Sequence, residues 1–170
     1  DLTLATSYTD AENFRKNGAN AFCITNGFDK QETTEGSNPF LSAQKFTLSY
    51  VGVLEQLRNP ENLWNAIYFL LNNNQDFADD FELKFVGRID EIILQQLKHL
   101  GIDHIVNNLG YLAHDESVNE MENSDLLLIT NFPNESSKGI IPGKLFEYLA
   151  TGKQIISFGP KDADVETILN

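Results

Sequence analysis

Two charged side chains, Lys144 and Glu147, stand out because of where they fall on a predicted helix. Residues 139–160 are predicted to form a loop, a short helix, a turn and a buried strand, which places Lys144 in the first turn of the helix. A cation is unfavourable at that positive end of the helix dipole unless an anion binds beside it. Glu147 follows on the same face at i, i+3 spacing. The pattern therefore indicates a phosphate site at Lys144 and the amides around Gly143, with Glu147 for a sugar hydroxyl.

The same spacing also fits an exposed ion pair between Lys144 and Glu147 on a surface helix. Such a pair would contribute little to stability. The order of the two residues is the less favourable one, because Glu before Lys is the stabilising orientation. The spacing alone leaves both interpretations open.

The wider segment favours the binding site. It reads Pro142-Gly-Lys-Leu-Phe-Glu-Tyr-Leu-Ala-Thr-Gly-Lys153, followed by a strand at Gln154–Phe158. This run resembles the nucleotide-sugar-binding segment of GT-B glycosyltransferases. In that family the lysine and the helix N-terminus contact the donor diphosphate, and the glutamate hydrogen-bonds the ribose. The resemblance implies these roles for Lys144 and Glu147, which are the candidate catalytic residues.

The resemblance also implies further contacts to the donor. The candidate binding residues are Gly52, Arg58, Tyr111, Leu112, Gly139, Gly143, Lys144 and Glu147. Arg58 is the nearest basic residue after the first strand of the sheet, where the family binds the diphosphate, although a surface position at a helix start would also explain it. Tyr111 and Leu112 fall in the stretch that lines the base pocket, and packing alone would explain Tyr111 equally well.

Position 139 departs from the family pattern. The retaining branch usually has a second glutamate there, eight positions before the ribose glutamate, and this chain has Gly139. Contacts to the donor sugar must then come from backbone groups or other side chains, and the stereochemical outcome stays open. Asp162 and Asp164 could face the donor sugar, whereas a plain helix start explains Asp164 equally well.

Composition limits the classes of partner. The 12 Lys and Arg against 25 Asp and Glu give a formal net charge of −13, which disfavours nucleic acid and anionic membranes as partners. No apolar run reaches about 18 residues, so no membrane span is predicted. The single cysteine, Cys23, allows no internal disulfide and fits a reducing compartment. No spacing of His, Cys and Asp suggests a metal site, and no cofactor is expected besides the nucleotide-diphosphate sugar donor.

Strands and helices alternate from residue 46 onward. Strands are predicted at Phe46–Val51, Phe81–Val86, 102–106, 125–130 and Gln154–Phe158. Apolar strands alternating with helices indicate a doubly wound, Rossmann-like α/β domain with a parallel sheet covered on both faces. Ligands of such sheets bind beyond the carboxyl ends of the strands. Asn59 and Asp90 are predicted as helix caps, with Pro60 as the first helical residue.

The predicted domain organisation has three parts. Residues 1–20 are expected to be the tail of a missing N-terminal acceptor domain. Residues 21–45 are expected to be the interdomain crossing and linker, since the run Phe22-Cys-Ile-Thr-Asn-Gly-Phe-Asp29 is similar to the GT-B crossing. Residues 46–170 are expected to be the donor-binding domain, truncated at its C-terminus. The chain would then be the C-terminal half of a GT-B fold and would bind the donor without turnover.

The resemblance implies a glycosyltransferase that moves a sugar from a nucleotide-diphosphate sugar to an acceptor. It also implies a setting in polysaccharide biosynthesis and a cytoplasmic location, with association at the inner face of the membrane through the missing domain as an open alternative. Two other functions remain: a nucleotide-sugar epimerase of the same fold and a non-enzymatic α/β binding module. The sequence specifies neither the base, the sugar nor the acceptor.

Overall fold

The computed structural model describes residues 1–28 and 45–170. Within these ranges the chain forms seven strands and seven α-helices. In chain order they are β1 (Thr3–Ala5), α1 (Tyr8–Lys16), β2 (Ala21–Cys23), β3 (Phe46–Val51), α2 (Glu61–Asn73), α3 (Gln75–Asp80), β4 (Phe81–Val86), α4 (Glu91–His99), β5 (Val106–Gly110), α5 (His114–Glu122), β6 (Leu126–Thr130), α6 (Lys144–Thr151), β7 (Gln154–Phe158) and α7 (Asp164–Leu169). Most of the predicted linker, residues 29–44, lies outside the described ranges.

Five strands form one parallel sheet in the order β5-β4-β3-β6-β7. The chain first builds outward from β3 through β4 to β5, and then returns to the other side of β3 to add β6 and β7. The direction of winding therefore reverses between β3 and β6. This confirms the predicted doubly wound α/β architecture and places the topological switch point, where ligands of such folds bind, between these two strands.

Helices cover both faces of this sheet. On one face α2 and α4 bury Trp64, Ile67, Ile93 and Leu97 against the strands, with Trp64 edge-on to Phe85. On the other face α5, α6 and α7 contribute a second core, formed by Met121, Leu145, Tyr148 and Val165 among others. Burying each large apolar side chain contributes about 1.5–3 kcal/mol, so the two cores hold the sheet rigid beneath the loops at its carboxyl edge.

The third strand lies further along the chain than predicted. Residues 103–105 form a 3₁₀ turn, and the strand runs from Val106 to Gly110. The prediction was wrong because Ile102 and Ile105 are buried in the first core from the turn itself. An apolar run that packs from a turn has the same composition as a buried strand.

Of the two predicted caps, Asp90 holds its position and Asn59 does not. Helix α2 begins at Glu61 with Pro60 in the cap position, and the Asn59 side chain instead accepts from Trp64 Nε1 and donates to Gln96 Oε1. Asp90 is the N-cap residue of α4 as predicted, but its carboxylate accepts the Gln56 N–H at 2.9 Å and no amide of the helix. Both residues therefore fix the segment after β3, which leads to Arg58.

The N-terminal elements β1, α1 and β2 form a small parallel unit. Ala11 of α1 is buried, whereas the opposite face of the two strands exposes Leu2, Leu4, Phe22 and Ile24. Thr9 ties this unit to α7, because its N–H and hydroxyl both donate to the Asp164 carboxylate, at 3.0 and 2.7 Å. Asp164 is thus buried in a structural contact, and a donor-sugar role is not supported. None of the helices in the described ranges combines the length and apolar character of a membrane span.

Candidate functional site

In a doubly wound sheet the binding crevice lies at the switch point, which here is between β3 and β6. Their pairing is limited to Leu48 with Leu126 and Ser49 with Leu127, although both strands continue towards their carboxyl ends. Beyond that point the Val51 N–H donates to the Tyr148 hydroxyl at 2.9 Å. The Tyr148 side chain comes from α6 and is fully buried, and this burial raises the pKa of its hydroxyl. A side chain from α6 thus completes the hydrogen bonding at the switch point.

Lys144, the first residue of α6, reaches into this region. Its Nζ lies 3.8 Å from the centroid of the Tyr50 ring, and a Cβ atom at Gly52 would lie 2.9 Å from it. The nitrogen is buried and has no hydrogen-bond partner among the described residues. No ion pair joins Lys144 to Glu147 within those ranges either. Lys144 and Glu147 therefore do not form the exposed ion pair that their spacing would also allow.

The surroundings of Lys144 disfavour its positive charge. The pKa of this lysine is lowered to about 7, mainly by burial and then by the charge of Arg58, and Glu147 partly opposes both effects. The Tyr50 ring offers a cation–π contact that favours the charged form. An anion bound beside Nζ would relieve the unfavourable environment, because opposite charges within about 4–6 Å stabilise the ammonium.

Arg58 lies at the same edge of the sheet and ends a 3₁₀ turn, Gln56–Arg58. Its Nη2 forms an ion pair with Glu55 Oε2 at 2.9 Å, and its guanidinium lies 5.1 Å from the ring centroid of Phe132. The Nε atom is buried without a partner among the described residues. Since Phe132 follows β6, Arg58 connects the loops on both sides of the crevice and keeps its buried Nε donor unused.

Gly52 contributes space and not a free amide. Its φ of +118° is a conformation that L side chains rarely adopt, and its N–H donates to the Val86 carbonyl at 2.7 Å. Gly87 has a φ of +109°, and a Cβ there would meet the Gly52 carbonyl oxygen. The two glycines therefore let the ends of β3 and β4 approach closely and leave room for the Lys144 ammonium.

The first turn of α6 offers fewer free amides than the sequence suggested. The Leu145 N–H donates to the Pro142 carbonyl at 3.0 Å, and the Phe146 N–H donates to the Gly143 carbonyl at 3.2 Å. The N–H groups of Gly143 and Lys144 have no acceptor among the described residues. Two amides and the ammonium therefore remain available to an anion at this helix end.

Glu147 lies one turn further along α6 and is half-buried. Its carboxylate forms no hydrogen bond or ion pair among the described residues. Gly139 lies against the start of α1, where a Cβ would come within 3.0 Å of Ser7 Oγ and 3.4 Å of Asp10 Oδ1. A side chain at position 139 would therefore press on the first turn of α1.

Tyr111 and Leu112 follow β5 at the same edge of the sheet, two strands away from β3. Tyr111 is 91% exposed, and Leu112 packs partly against the second core. Thus Tyr111 is not a packing residue, and its ring is free to contact a ligand. Within the described ranges, no group of three or more His, Cys, Asp or Glu side chains is placed to hold a metal ion.

Sequence reasoning missed four residues around the crevice: Tyr50, Thr130, Asn131 and Tyr148. Thr130 and Asn131 end the predicted strand 125–130 at the carboxyl edge, and that position alone could have identified them. Tyr50 and Tyr148 occupy apolar positions of a strand and a helix, and nothing in the sequence separates them from ordinary core residues.

Comparison with known proteins identifies the fold. No protein-family model and no curated protein matches the sequence. Solved structures do match. The structure of Anabaena HepE in complex with UDP and glucose has 18% sequence identity to this chain and a TM-score of 0.69, and the match covers 99% of this chain and 46% of HepE. The lipopolysaccharide outer core galactosyltransferase WaaB in its apo form matches at 16% identity and 0.66, covering 99% and 51%.

A third match is an E. coli structure described as trehalose-6-phosphate bound with UDP-2-fluoro glucose. It has 12% identity and a TM-score of 0.68, covering 98% of this chain and 47% of that one. This chain therefore has the fold of the C-terminal half of GT-B glycosyltransferases. It spans about half the length of these structures.

Proposed function

We propose that this chain is the donor-binding part of a glycosyltransferase that moves a sugar from a nucleotide-diphosphate sugar to an acceptor. The observation that carries the proposal is the Lys144 ammonium, which is buried without a counter-ion at the switch point of the sheet. A buried charge without a partner is costly, and an ionisable group whose pKa is strongly perturbed at a ligand-binding edge is a candidate functional residue. The fold supports the same function, because HepE is seen with UDP and glucose.

The chemistry follows from the arrangement of charges. Transfer of the sugar leaves a nucleoside diphosphate, whose negative charge develops as the glycosidic bond breaks. Lys144 and Arg58 are preorganised cations at one edge of the sheet, and the amides of Gly143 and Lys144 add two donors. Groups held in place before reaction stabilise developing charge without reorganisation. We assign the diphosphate to these groups.

The nucleoside is assigned to the neighbouring groups. The Glu147 carboxylate has no intramolecular partner among the described residues and can accept hydrogen bonds from the ribose hydroxyls. The exposed Tyr111 ring and Leu112 lie further along the same edge, on the side of β5, and are assigned to the base.

The acceptor is assigned to a first domain of the same chain. Leu2, Leu4, Phe22 and Ile24 are each more than half exposed on one face of the β1–β2 unit. Parallel strands are normally covered on both faces, so this apolar surface suits a packed domain. The compared structures are about twice as long as this chain, which leaves room for such a domain. Without it, the chain would bind the donor but not transfer the sugar.

The test is ligand-observed NMR against UDP, GDP, TDP, ADP and CMP. One nucleoside diphosphate is expected to bind, and Lys144→Met should weaken it by about tenfold to a hundredfold, since hydrogen bonds to charged groups contribute about 1.5–3 kcal/mol. Glu147→Gln should weaken the binding of nucleotides whose sugar is ribose. Lys153→Met, just beyond the other end of the same helix, is the matched control and should bind normally.

Two outcomes would favour the other functions. A non-enzymatic module would bind none of the five nucleotides while remaining folded. An epimerase would bind a nucleotide sugar in the same way, and the protein with both domains would release free nucleotide without forming an acceptor product.

A further inference from the structure

Four buried polar side-chain atoms have no hydrogen-bond partner among the described residues. They are Arg58 Nε, Thr130 Oγ1, Asn131 Oδ1 and Lys144 Nζ. All four belong to segments at the carboxyl edge of β3 and β6, on the two sides of the switch point. Each unpaired buried polar group costs about 1–3 kcal/mol, so their concentration at one edge indicates a ligand with matching groups.

The four atoms differ in what they can bind. Arg58 Nε and Lys144 Nζ are donors and suit the oxygens of a diphosphate. Asn131 Oδ1 can only accept a hydrogen bond, so phosphate oxygens, which are themselves acceptors, cannot satisfy it. Thr130 Oγ1 can accept as well. The ligand must therefore bring hydroxyl or N–H donors in addition to its negative charge.

Asn131 is held so that its oxygen cannot turn away. Its backbone N–H donates to the Phe158 carbonyl at 2.8 Å, and its Nδ2 donates to the Ile140 carbonyl at 2.8 Å. The residue is only 5% exposed. Rotating the amide would break the bond to Ile140, so Oδ1 keeps its orientation, without a partner among the described residues.

Thr130 is 3% exposed and lies beside Tyr50 at the end of β6. The Tyr50 hydroxyl donates to the Val53 carbonyl at 2.8 Å, so it has no proton left to give to Thr130. The Thr130 hydroxyl interacts with the Tyr50 oxygen only weakly, as a donor, which lowers the pKa of the phenol. The lone pairs of Thr130 Oγ1 are therefore free for a donor from a ligand.

We propose that Thr130 and Asn131 form a subsite that accepts hydrogen bonds from the transferred sugar, beside the cations that take its diphosphate. This subsite rests on the proposed function, since it presumes a nucleotide-sugar donor. It also supplies polar contacts for a sugar in a chain where position 139 is a glycine and carries no side chain. The two residues thereby determine specificity for the sugar and do not affect specificity for the nucleotide.

The test compares each nucleotide sugar with its own nucleoside diphosphate by isothermal titration calorimetry. The probes are UDP-glucose against UDP, UDP-N-acetylglucosamine against UDP, and GDP-mannose against GDP. Thr130→Val removes the hydroxyl at nearly constant volume, and Thr130→Ser restores it. For the nucleotide sugar that binds, Thr130→Val should raise the ratio of its Kd to that of its diphosphate by about threefold to tenfold, and Thr130→Ser should return the ratio to the wild-type value.

A second measurement excludes a structural role for the hydroxyl. Because the Thr130 hydroxyl has only a weak interaction with the Tyr50 oxygen, Thr130→Val should change the melting temperature little. Donor analogues that each lack one sugar hydroxyl complete a double-mutant cycle. The analogue without the hydroxyl that contacts Thr130 should bind the wild type more weakly than the full sugar does. It should bind Thr130→Val as well as the full sugar does.

Three results would overturn the subsite. Equal weakening of sugar and diphosphate by Thr130→Val would make the residue structural, and no change in the ratio would mean that water satisfies the hydroxyl. In both cases the diphosphate still binds and the proposed function stands. If the wild-type chain binds none of these probes and none of UDP, GDP, TDP, ADP and CMP, the subsite and the proposed function fail together.

Discussion

Burial and the neighbouring charge of Arg58 both disfavour the protonated form of Lys144, and the cation–π contact with the Tyr50 ring partly stabilises it. Such a residue weakens the unliganded protein and strengthens binding of an anion, which is the usual exchange of stability for function at binding sites. The side-chain oxygens of Thr130 and Asn131 are also buried without a partner among the described residues, but they can accept hydrogen bonds from a ligand where Lys144 can only donate them. Together these residues distinguish a ligand that combines negative charge with hydroxyl groups.

The cost of Lys144 should depend on pH. Its pKa is about 7 in the folded chain and 10.5 in the unfolded chain, so between these values the unfolded state binds more protons and stability rises with pH. Below pH 7 both states are protonated and the full penalty applies. Lys144→Met should therefore raise the melting temperature by several degrees at pH 6, and the gain should shrink towards pH 10.

Thermal unfolding followed by circular dichroism at pH 6, 8 and 9.5 measures this dependence. Lys153→Met serves as control and should follow the wild type at every pH. A Lys144→Met variant that is less stable than the wild type at pH 6 would show that the ammonium is well accommodated without an anion.

Among the elements, the separation of β3 and β6 depends on α6. Tyr148 supplies the acceptor for the Val51 N–H at the point where the strands part. Tyr148→Phe would leave that buried N–H unpaired, at a cost of about 1–3 kcal/mol in the free energy of unfolding. Urea denaturation measures the loss, and Tyr68→Phe, on the exposed side of α2, should change it little. Equal stability of the two variants would contradict this role for Tyr148.

Much of the element order could be predicted because the strands are short apolar runs separated by helices with clear apolar stripes. Strands β3, β4 and β7 have the predicted bounds. The start of β5 could not be predicted, because Ile102 and Ile105 pack into the core from a turn. The position of Lys144 on its helix could be predicted from capping and spacing. Its burial over Tyr50 could not, because the two residues are 94 positions apart in the sequence. The role of Tyr148 likewise depends on a contact with a distant strand.

For the whole molecule, the link between the N-terminal unit and α7 joins the two ends of the chain. The Asp164 carboxylate accepts both the N–H and the hydroxyl of Thr9, and it is the only buried acidic residue among those described. Asp164→Ala should release α1 from the sheet domain and increase amide hydrogen exchange in residues 8–16 by about tenfold or more. Thr9→Val keeps the backbone bond and should have a smaller effect.

Exchange of β3 and β4 amides serves as the internal reference, since these strands lie at the centre of the sheet. If Asp164→Ala accelerates exchange in α1 and in the central strands alike, the contact supports the whole fold and not the attachment of the N-terminal unit. Unchanged exchange in α1 would show that other contacts hold the unit in place.

The central claim is that a nucleoside diphosphate binds in the crevice between β3 and β6. Amide chemical-shift mapping of the ¹⁵N-labelled chain with the best-binding nucleoside diphosphate tests it most directly. The largest shifts are expected at residues 52–58, 130–132 and 143–147, with smaller shifts at 110–112. Shifts confined to the outer surface of α4 and β5, or a folded chain whose spectrum does not change at millimolar ligand, would contradict the claim.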